Sequence, residues 1–229
     1  SVAAKLPAQI RDKMETENNL FSRFNKNDYG QGGAWDHYWG AFHPRGARRS
    51  DNAQLALWIN YERLGISFYI GDYGMQPRER LRDNGRLYAQ PLAEVFEGFI
   101  GNDLLNRENL EKATYEQATI FPTPEMSWKE WLENPERTGY GIRNNLYKDR
   151  LLTLPFSEVG QLILQTYIRL FPLVLLTTEA DPLASIQNYI RSQAPDEEEE
   201  EEIVLQPEFP LEKCAQEPAF DLATLSTWI

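Results

Sequence analysis

Apolar and polar positions alternate with different periods along the chain. Leu6, Ile10, Met14, Leu20, Phe21 and Phe24 recur at helical spacing, so an amphipathic helix is expected over 6–25. The polar, glycine-rich run Asn27-Asp28-Tyr29-Gly30-Gln31-Gly32-Gly33 ends that period. "HYWGAFH" (37–43) reads as a short strand and "PRGARRSDN" (44–52) as a loop. Strand-like alternation returns in "AQLALWINYE" at Leu55, Leu57 and Ile59, and "GISFYIGD" (65–72) has strand composition. The short link Arg63-Leu64-Gly65 between them predicts a hairpin near 54–72.

Helical spacing dominates the rest. Pro77 opens a short helix that Asn84-Gly85 is expected to end or break. Leu92, Val95, Phe96, Phe99 and Ile100 mark the next helix, and Ser127 with Glu130 forms a capping box for "SWKEWLE". "RTGYGIRNNLYKDR" (137–150) reads as loop and strand. "FSEVGQLILQTYIRLFPLVLL" (156–176) is a strongly apolar helix with a cap at Ser157 and a bend or restart at Pro172. Asp181-Pro182 starts a last helix that reaches Ser192. Helices on both sides of a few strands predict an α+β fold. Its sheet would be small, mixed or antiparallel, and packed by N-terminal and C-terminal helices.

Charge divides the chain further. Asp196 to Glu202 is seven acids in a row, and 196–229 holds eleven acids against one base, Lys213. Of the formal charge of -12, only -2 therefore belongs to 1–195. The composition shift at Pro195 predicts a folded domain over 1–195 and an acidic linker, leading into a further segment, over 196–229. The single cysteine, Cys214, excludes a disulfide framework and a thiolate metal cluster, and suggests a reducing, cytoplasmic setting. The N-terminus "SVAAKLPAQIRDKM" does not read as a signal peptide, and Leu162–Leu176, interrupted by Gln165 and Arg169, is too short to span a membrane. The expectation is a chain without a membrane partner.

Common catalytic patterns are missing. The residues two before the seven lysines are Ala3, Arg11, Phe24, Leu110, Ser127, Leu146 and Leu211, so no restriction-type acid-x-lysine pair occurs. Neither G-x-x-x-x-G-K nor G-x-S-x-G is present. His37 and His43 have no third ligand matched by spacing. The reading assigns no catalytic residue, no metal ligand and no cofactor to this chain, and favours binding over catalysis.

The binding chemistry concentrates in 29–49. Tyr29, Trp35, Tyr38, Trp39 and Phe42 supply rings, five glycines permit close backbone approach, and Arg45, Arg48 and Arg49 supply phosphate forks. No acid occurs from Ala41 to Ser50. Arg78, Arg82 and Arg86 form a second basic set at i, i+4 and i+8, and Arg137, Arg143, Lys148 and Arg150 a third. Surface salt bridges are the alternative role for the second and third sets, since Glu62, Glu79, Asp83 and Asp149 lie close in sequence. Rings on strands, such as Trp39, Phe42, Trp58, Phe68 and Tyr69, are more often core than ligand wall. Tyr29, in a polar loop, is free to stack.

The final segment "LEKCAQEPAFDLATLSTWI" (211–229) resembles the stretch preceding the Walker motif in McrB-like AAA+ GTPases of modification-dependent restriction systems. The order of domain and acidic linker matches the N-terminal target-recognition domain and linker of that family. Tyr29-Gly30-Gln31, "HYWGAFH", "LALWINYE" and "ISFYIGD" are also similar to the Y-G-N loop, aromatic strand and strand pair of its methylcytosine-reading domain. The chain departs at Gln31, and at "NAQ" before the second strand, where the family has an aromatic.

The resemblance implies a non-catalytic domain that binds double-stranded DNA and reads a modified base, a flipped methylated cytosine in the family. Tyr29, Gly30, Trp58 and Trp39 would be base-binding, and Arg45, Arg48, Arg49, Arg78 and Arg82 phosphate-binding. GTP, Mg²⁺ and ring assembly would belong to a motor beyond Ile229, and cleavage to a separate McrC-like nuclease subunit. The rival expectation is a protein-sensing domain of an anti-phage system, recognising a phage or host protein through the same aromatic surface.

Overall fold

The computed structural model describes residues 2–18, 20–21, 37–105, 126–138 and 140–194, with the side chains of 137 and 138 excepted. The expected N-terminal helix is two short ones, α1 (Val2–Lys5) and α2 (Ala8–Lys13), and the chain then turns into a two-residue strand, β1 (Met14–Glu15). Pro7 accounts for the split: lacking an amide proton, it stands at the N-cap of α2. The face picked out by periodicity is still the buried one, at Leu6, Ile10, Met14 and Leu20.

β2 (His37–Pro44), β3 (Ala53–Asn60), β4 (Arg63–Ile70) and β5 (Ile142–Tyr147) join β1 in an antiparallel sheet of order β1-β2-β3-β4-β5. The fold is α+β, with helices around a five-stranded antiparallel sheet. The hairpin lies where alternation placed it, but it turns at Tyr61-Glu62, and Arg63-Leu64-Gly65 are already strand. The Asn60 side chain accepts from the amides of Glu62 and Arg63 at 2.9 and 3.0 Å. This local bond tightens the turn.

Alternation gives the sheet two unlike faces. Phe42, Leu55, Leu57, Ile59, Leu64, Ile66, Phe68, Ile70, Ile142 and Leu146 share one face and are buried. A long helix, α8 (Phe156–Thr178), crosses that face: the Tyr167 ring meets Phe42 at 5.5 Å, and Asn144 donates to the Thr166 hydroxyl at 3.3 Å. Ser157 is not its cap; the N-cap is Pro155. Nor does Pro172 break it, because Leu170 to Thr177 are all buried and that packing outweighs one lost hydrogen bond. By length and composition α8 could cross a membrane, at a mean hydropathy of 1.5; 67% of that stretch is buried inside the protein, as in a core helix.

The other helices flank α8. α3 (Met75–Leu87) runs through Asn84-Gly85 rather than ending there. The Asn84 amide donates to the Leu176 carbonyl at 2.8 Å, and a Cβ on Gly85 would lie 2.5 Å from the Leu132 carbonyl oxygen. Both residues are used for close helix packing. α4 (Ala89–Phe99) follows, then α5 (Trp128–Glu133), whose Ser127 cap accepts from the Glu130 amide at 3.2 Å as predicted. Phe96, Trp128 and Trp131 stack edge to face at 5.3 and 5.9 Å. α6 (Pro135–Thr138) precedes β5, and α7 (Lys148–Leu151) follows it. α9 (Pro182–Arg191), capped by Asp181, folds back along α8, with the Tyr189 hydroxyl on the Ile168 carbonyl at 3.0 Å.

Two outcomes test this core. Trp131 is 0% exposed, and Trp131→Ala should cost about 3–5 kcal/mol in denaturant unfolding; a loss near zero would mean that α5 is not packed on α4. Burial pushes the Tyr167 and Tyr189 hydroxyls well above the usual phenol range. A raised folded pKa keeps its stabilisation below the unfolded value of about 10, and loses it as pH climbs past that point. The melting temperature should fall above about pH 10, less steeply in Tyr167→Phe. An unchanged alkaline slope in that variant would place the titration on another group.

Candidate nucleic-acid interface

The second sheet face carries the candidate chemistry. Trp39 pairs directly with Trp58, and the same row continues through Gly65 to Asn145. The next row on one side runs His37, Asn60, Arg63, Tyr147, and on the other Ala41, Ala56, Ser67, Arg143. β2, β3, β4 and β5 contain no aspartate or glutamate in a chain of 35 acids. The face is thus aromatic, cationic and amide-bearing, the inverse of the chain as a whole.

Its rings and cations are paired. The Arg49 guanidinium lies 4.1 Å from the centroid of Trp39. Arg63 and Arg143 lie 5.2 and 5.4 Å from that of Trp58, and the His37 ring is 5.4 Å away. Each cation–π contact contributes about 0.5–1 kcal/mol at an exposed site and holds the guanidinium plane over the ring. Arg63 Nε is buried without a hydrogen-bond partner among the described residues. Gly65 makes the arrangement possible: a Cβ there would fall 2.7 Å from Arg143 Cδ. With no side chain at position 65, Arg143 lies across the strand and reaches Trp58.

One end of the face is a basic rim. The 3₁₀ turn Arg49–Asp51 sits against the end of β4, where a Gly71 Cβ would lie 2.2 Å from the Ser50 carbonyl. This contact brings the first two basic sets together. Arg78 donates to the Gly71 carbonyl at 3.3 Å and lies 5.4 Å from the Tyr140 ring, and Arg82 is one turn further along α3. The side chains differ in freedom. Arg45 donates to the Arg11 carbonyl at 3.0 Å, and Arg49 to the Leu20 carbonyl at 2.8 Å. The Gln54 amide holds the Arg49 carbonyl from beneath. Arg82 binds Asp83 at 2.9 Å, and that carboxylate raises its pKa. Arg48 is exposed. On the nearby β1, the amides of Glu17 and Asn18 hold the Glu15 carboxyl below its ordinary pKa, with Arg45 adding to the effect.

Of the expected base-binding residues, Trp39 and Trp58 stand side by side on this face, both half-buried, while Tyr29 and Gly30 lie outside the described residues. The expected phosphate residues gather at the rim. Sequence reading passed over Arg63, taking it for turn, and counted Arg143 only in a third basic set. Strand alternation from a turn at Tyr61-Glu62 would have put Arg63 on the Trp58 face. Of that third set, the Arg137 side chain lies outside the described residues, and Lys148 and Arg150 are on α7 at the opposite end of the sheet. Among the described residues no group of three or more histidines, cysteines or acids could hold a metal. A hollow of about 540 Å³ between α4 and the start of α5 is bordered by Glu94 and Glu97, which repel phosphate. No protein-family model matches the chain, and no curated protein matches it.

Gly65 provides a structural test. Gly65→Val should leave the sheet folded, since valine suits a strand, but push Arg143 off Trp58. A double-mutant cycle of Gly65→Val with Arg143→Ala should therefore show coupling of about 0.5 kcal/mol or more in unfolding free energy. Strict additivity would mean that Arg143 does not depend on the bare strand.

Proposed function

We propose that the domain binds DNA and reads a modified base, as the target-recognition domain of a McrB-like restriction motor. The observation that carries this reading is the acid-free sheet face, on which the Trp39–Trp58 pair lies among three guanidiniums. Indole offers a sequence-tolerant stacking surface, and a guanidinium held against it is a preset fork for phosphate oxygens. Extruding a base costs a few kcal/mol of unstacking, and stacking with phosphate clamps can offset that. Tyr29 would add a wall from its loop, and Arg48 and Arg78 would grip the backbone at the rim. The domain itself has no catalytic role here. GTP with Mg²⁺ and ring assembly belong to the motor, and cleavage to a McrC-like subunit.

The protein-sensing alternative has one observation in its favour: tryptophan and arginine together are also the usual anchors of protein interfaces. Salt separates the two. Phosphate contacts make affinity fall steeply with salt, while an aromatic protein interface responds weakly.

Matched duplexes, with and without 5-methylcytosine, titrated at two salt concentrations, test the reading. Arg63→Ala with Arg143→Ala should weaken both duplexes and flatten the salt slope by up to about two units. Arg48→Ala should act likewise by about one unit, without loss of stability. Tyr29→Ala should melt like wild type and lose about 1–3 kcal/mol of binding to the modified duplex. If wild type and all three variants bind no duplex, the DNA reading is wrong and the protein-sensing one takes its place.

A further inference from the structure

We infer that Tyr73 and Met75 form an apolar wedge that enters bound duplex DNA between two base pairs, several steps away from the base that meets Trp39 and Trp58; the inference rests on the DNA-binding reading above. Tyr73 is 77% exposed and Met75 71% exposed, the two most exposed large apolar side chains among the described residues. They stand on a turn whose backbone is fixed. The Gly71 amide donates to the Asn52 carbonyl at 3.0 Å, and the Tyr73 amide to the Ser50 carbonyl at 3.1 Å. Within the turn, Gly74 donates to the Gly71 carbonyl at 2.8 Å and Met75 to the Tyr73 carbonyl at 2.9 Å. Gly74 has no room for a side chain, since a Cβ there would lie 2.6 Å from Ile70 Cγ2 and 3.2 Å from the Asp51 carbonyl oxygen. The turn 71–74 is thereby locked onto the 3₁₀ turn Arg49–Asp51, and two large side chains stand in solvent on a braced backbone.

The turn is tied to the face that carries the tryptophans. Tyr69 pairs with Gln54 in a row of that face, and its hydroxyl donates to the Asp72 carboxylate. From Gln54 to Trp58 is a strand length of about 13 Å. A duplex lying along the face would therefore meet the wedge roughly four to six base steps from the tryptophan pair, at about 3.4 Å per step. Apolar side chains inserted at such a step unstack it and kink the duplex, which then wraps more of the protein. Charge and shape select DNA as the occupant. Arg48 is exposed, and among the described residues no hydrogen bond or ion pair holds its guanidinium. Arg45, Arg49 and Arg78 add positive charge at this end, while the carboxylates of Asp51 and Asp72 accept from Ser50 and Tyr69. A side chain as little covered as Tyr73 has room to stack on both sides, as insertion between base pairs requires. A protein anchor instead sits at the centre of a well-packed patch, and here the neighbours Asp72 and Gln76 are polar and exposed.

The test titrates the whole chain into duplexes that hold one 5-methylcytosine and a single 2-aminopurine, moved one position at a time away from the modified base. The fluorescence of 2-aminopurine rises when its neighbours unstack. With wild type a rise should appear at a step roughly four to six base pairs from the 5-methylcytosine. Tyr73→Ala with Met75→Ala should abolish that rise and weaken binding about three- to thirtyfold. The salt slope should not change, because no charge is removed. Tyr73→Phe with Met75→Leu keeps the apolar wedge and should keep the rise. All variants should melt like wild type, since both side chains are exposed; a double-alanine variant that unfolds would make the pair structural and overturn the inference. If the folded double-alanine variant opens the same step and binds as wild type does, the wedge is refuted and the DNA reading stands. The wedge is also refuted if the variant binds more weakly but wild type opens no such step, the pair then being a groove contact. If wild type binds no duplex at all, the DNA reading fails and the wedge fails with it.

Discussion

Helix α8 lies across the apolar face of the sheet, with Tyr167 on Phe42 and Thr166 held by Asn144. A sheet sealed on one side in this way must carry its polar alternate residues on the other. Register then fixes which side chains meet. A one-residue slip of β3 against β2 would turn Trp58 into the core and Leu57 out of it. The burial of Leu55, Leu57 and Ile59 under α8 therefore holds the Trp39–Trp58 pair in place from the opposite face. Helix packing that touches neither tryptophan decides the geometry of the candidate site.

The same face illustrates how cations tolerate partial burial. Arg63 and Arg143 are half-buried, and each brings its guanidinium carbon within 5.4 Å of the Trp58 ring centroid. Guanidinium is weakly hydrated and stacks on rings, so it loses less on leaving water than an ammonium would. Lysine at either position would be a poor replacement. The absence of acids from all four long strands gives this arrangement its sign, because a single carboxylate beside Trp58 would turn two forks inward as salt bridges. Gly65 completes the design by vacating the strand that Arg143 must cross.

How much of this was legible in the sequence follows from the range of each interaction. Alternation at Leu55, Leu57 and Ile59, the Ser127 cap and the Asp181-Pro182 start depend on residues within a few positions, and they were readable. Asn84-Gly85 misled, because its local meaning is a helix stop while its use is contact with Leu176 and Leu132. Pro172 does not restart the helix for the same reason, its cost being outweighed by partners far along the chain. The N-terminal period was right about burial and wrong about continuity, since Pro7 acts on the backbone and not on the pattern. At the site, both tryptophans and the rim arginines were visible as residue types. The pairing of Arg63 and Arg143 on one ring was not, because it needs the turn at Tyr61-Glu62 and the register of β5 together.

The proposed reading also sets a limit on what such a face can discriminate. A methyl group on cytosine offers a pocket about 0.8 kcal/mol of transfer free energy, which is roughly a fourfold preference. Phosphate forks raise affinity for modified and unmodified duplexes alike, so on the proposed reading Arg48, Arg63 and Arg143 would strengthen binding without sharpening it. Preference must then come from the aromatic walls or from repetition. Several linked copies on one DNA would multiply small preferences through effective concentration, which would suit the proposed place of this domain in a ring-forming assembly.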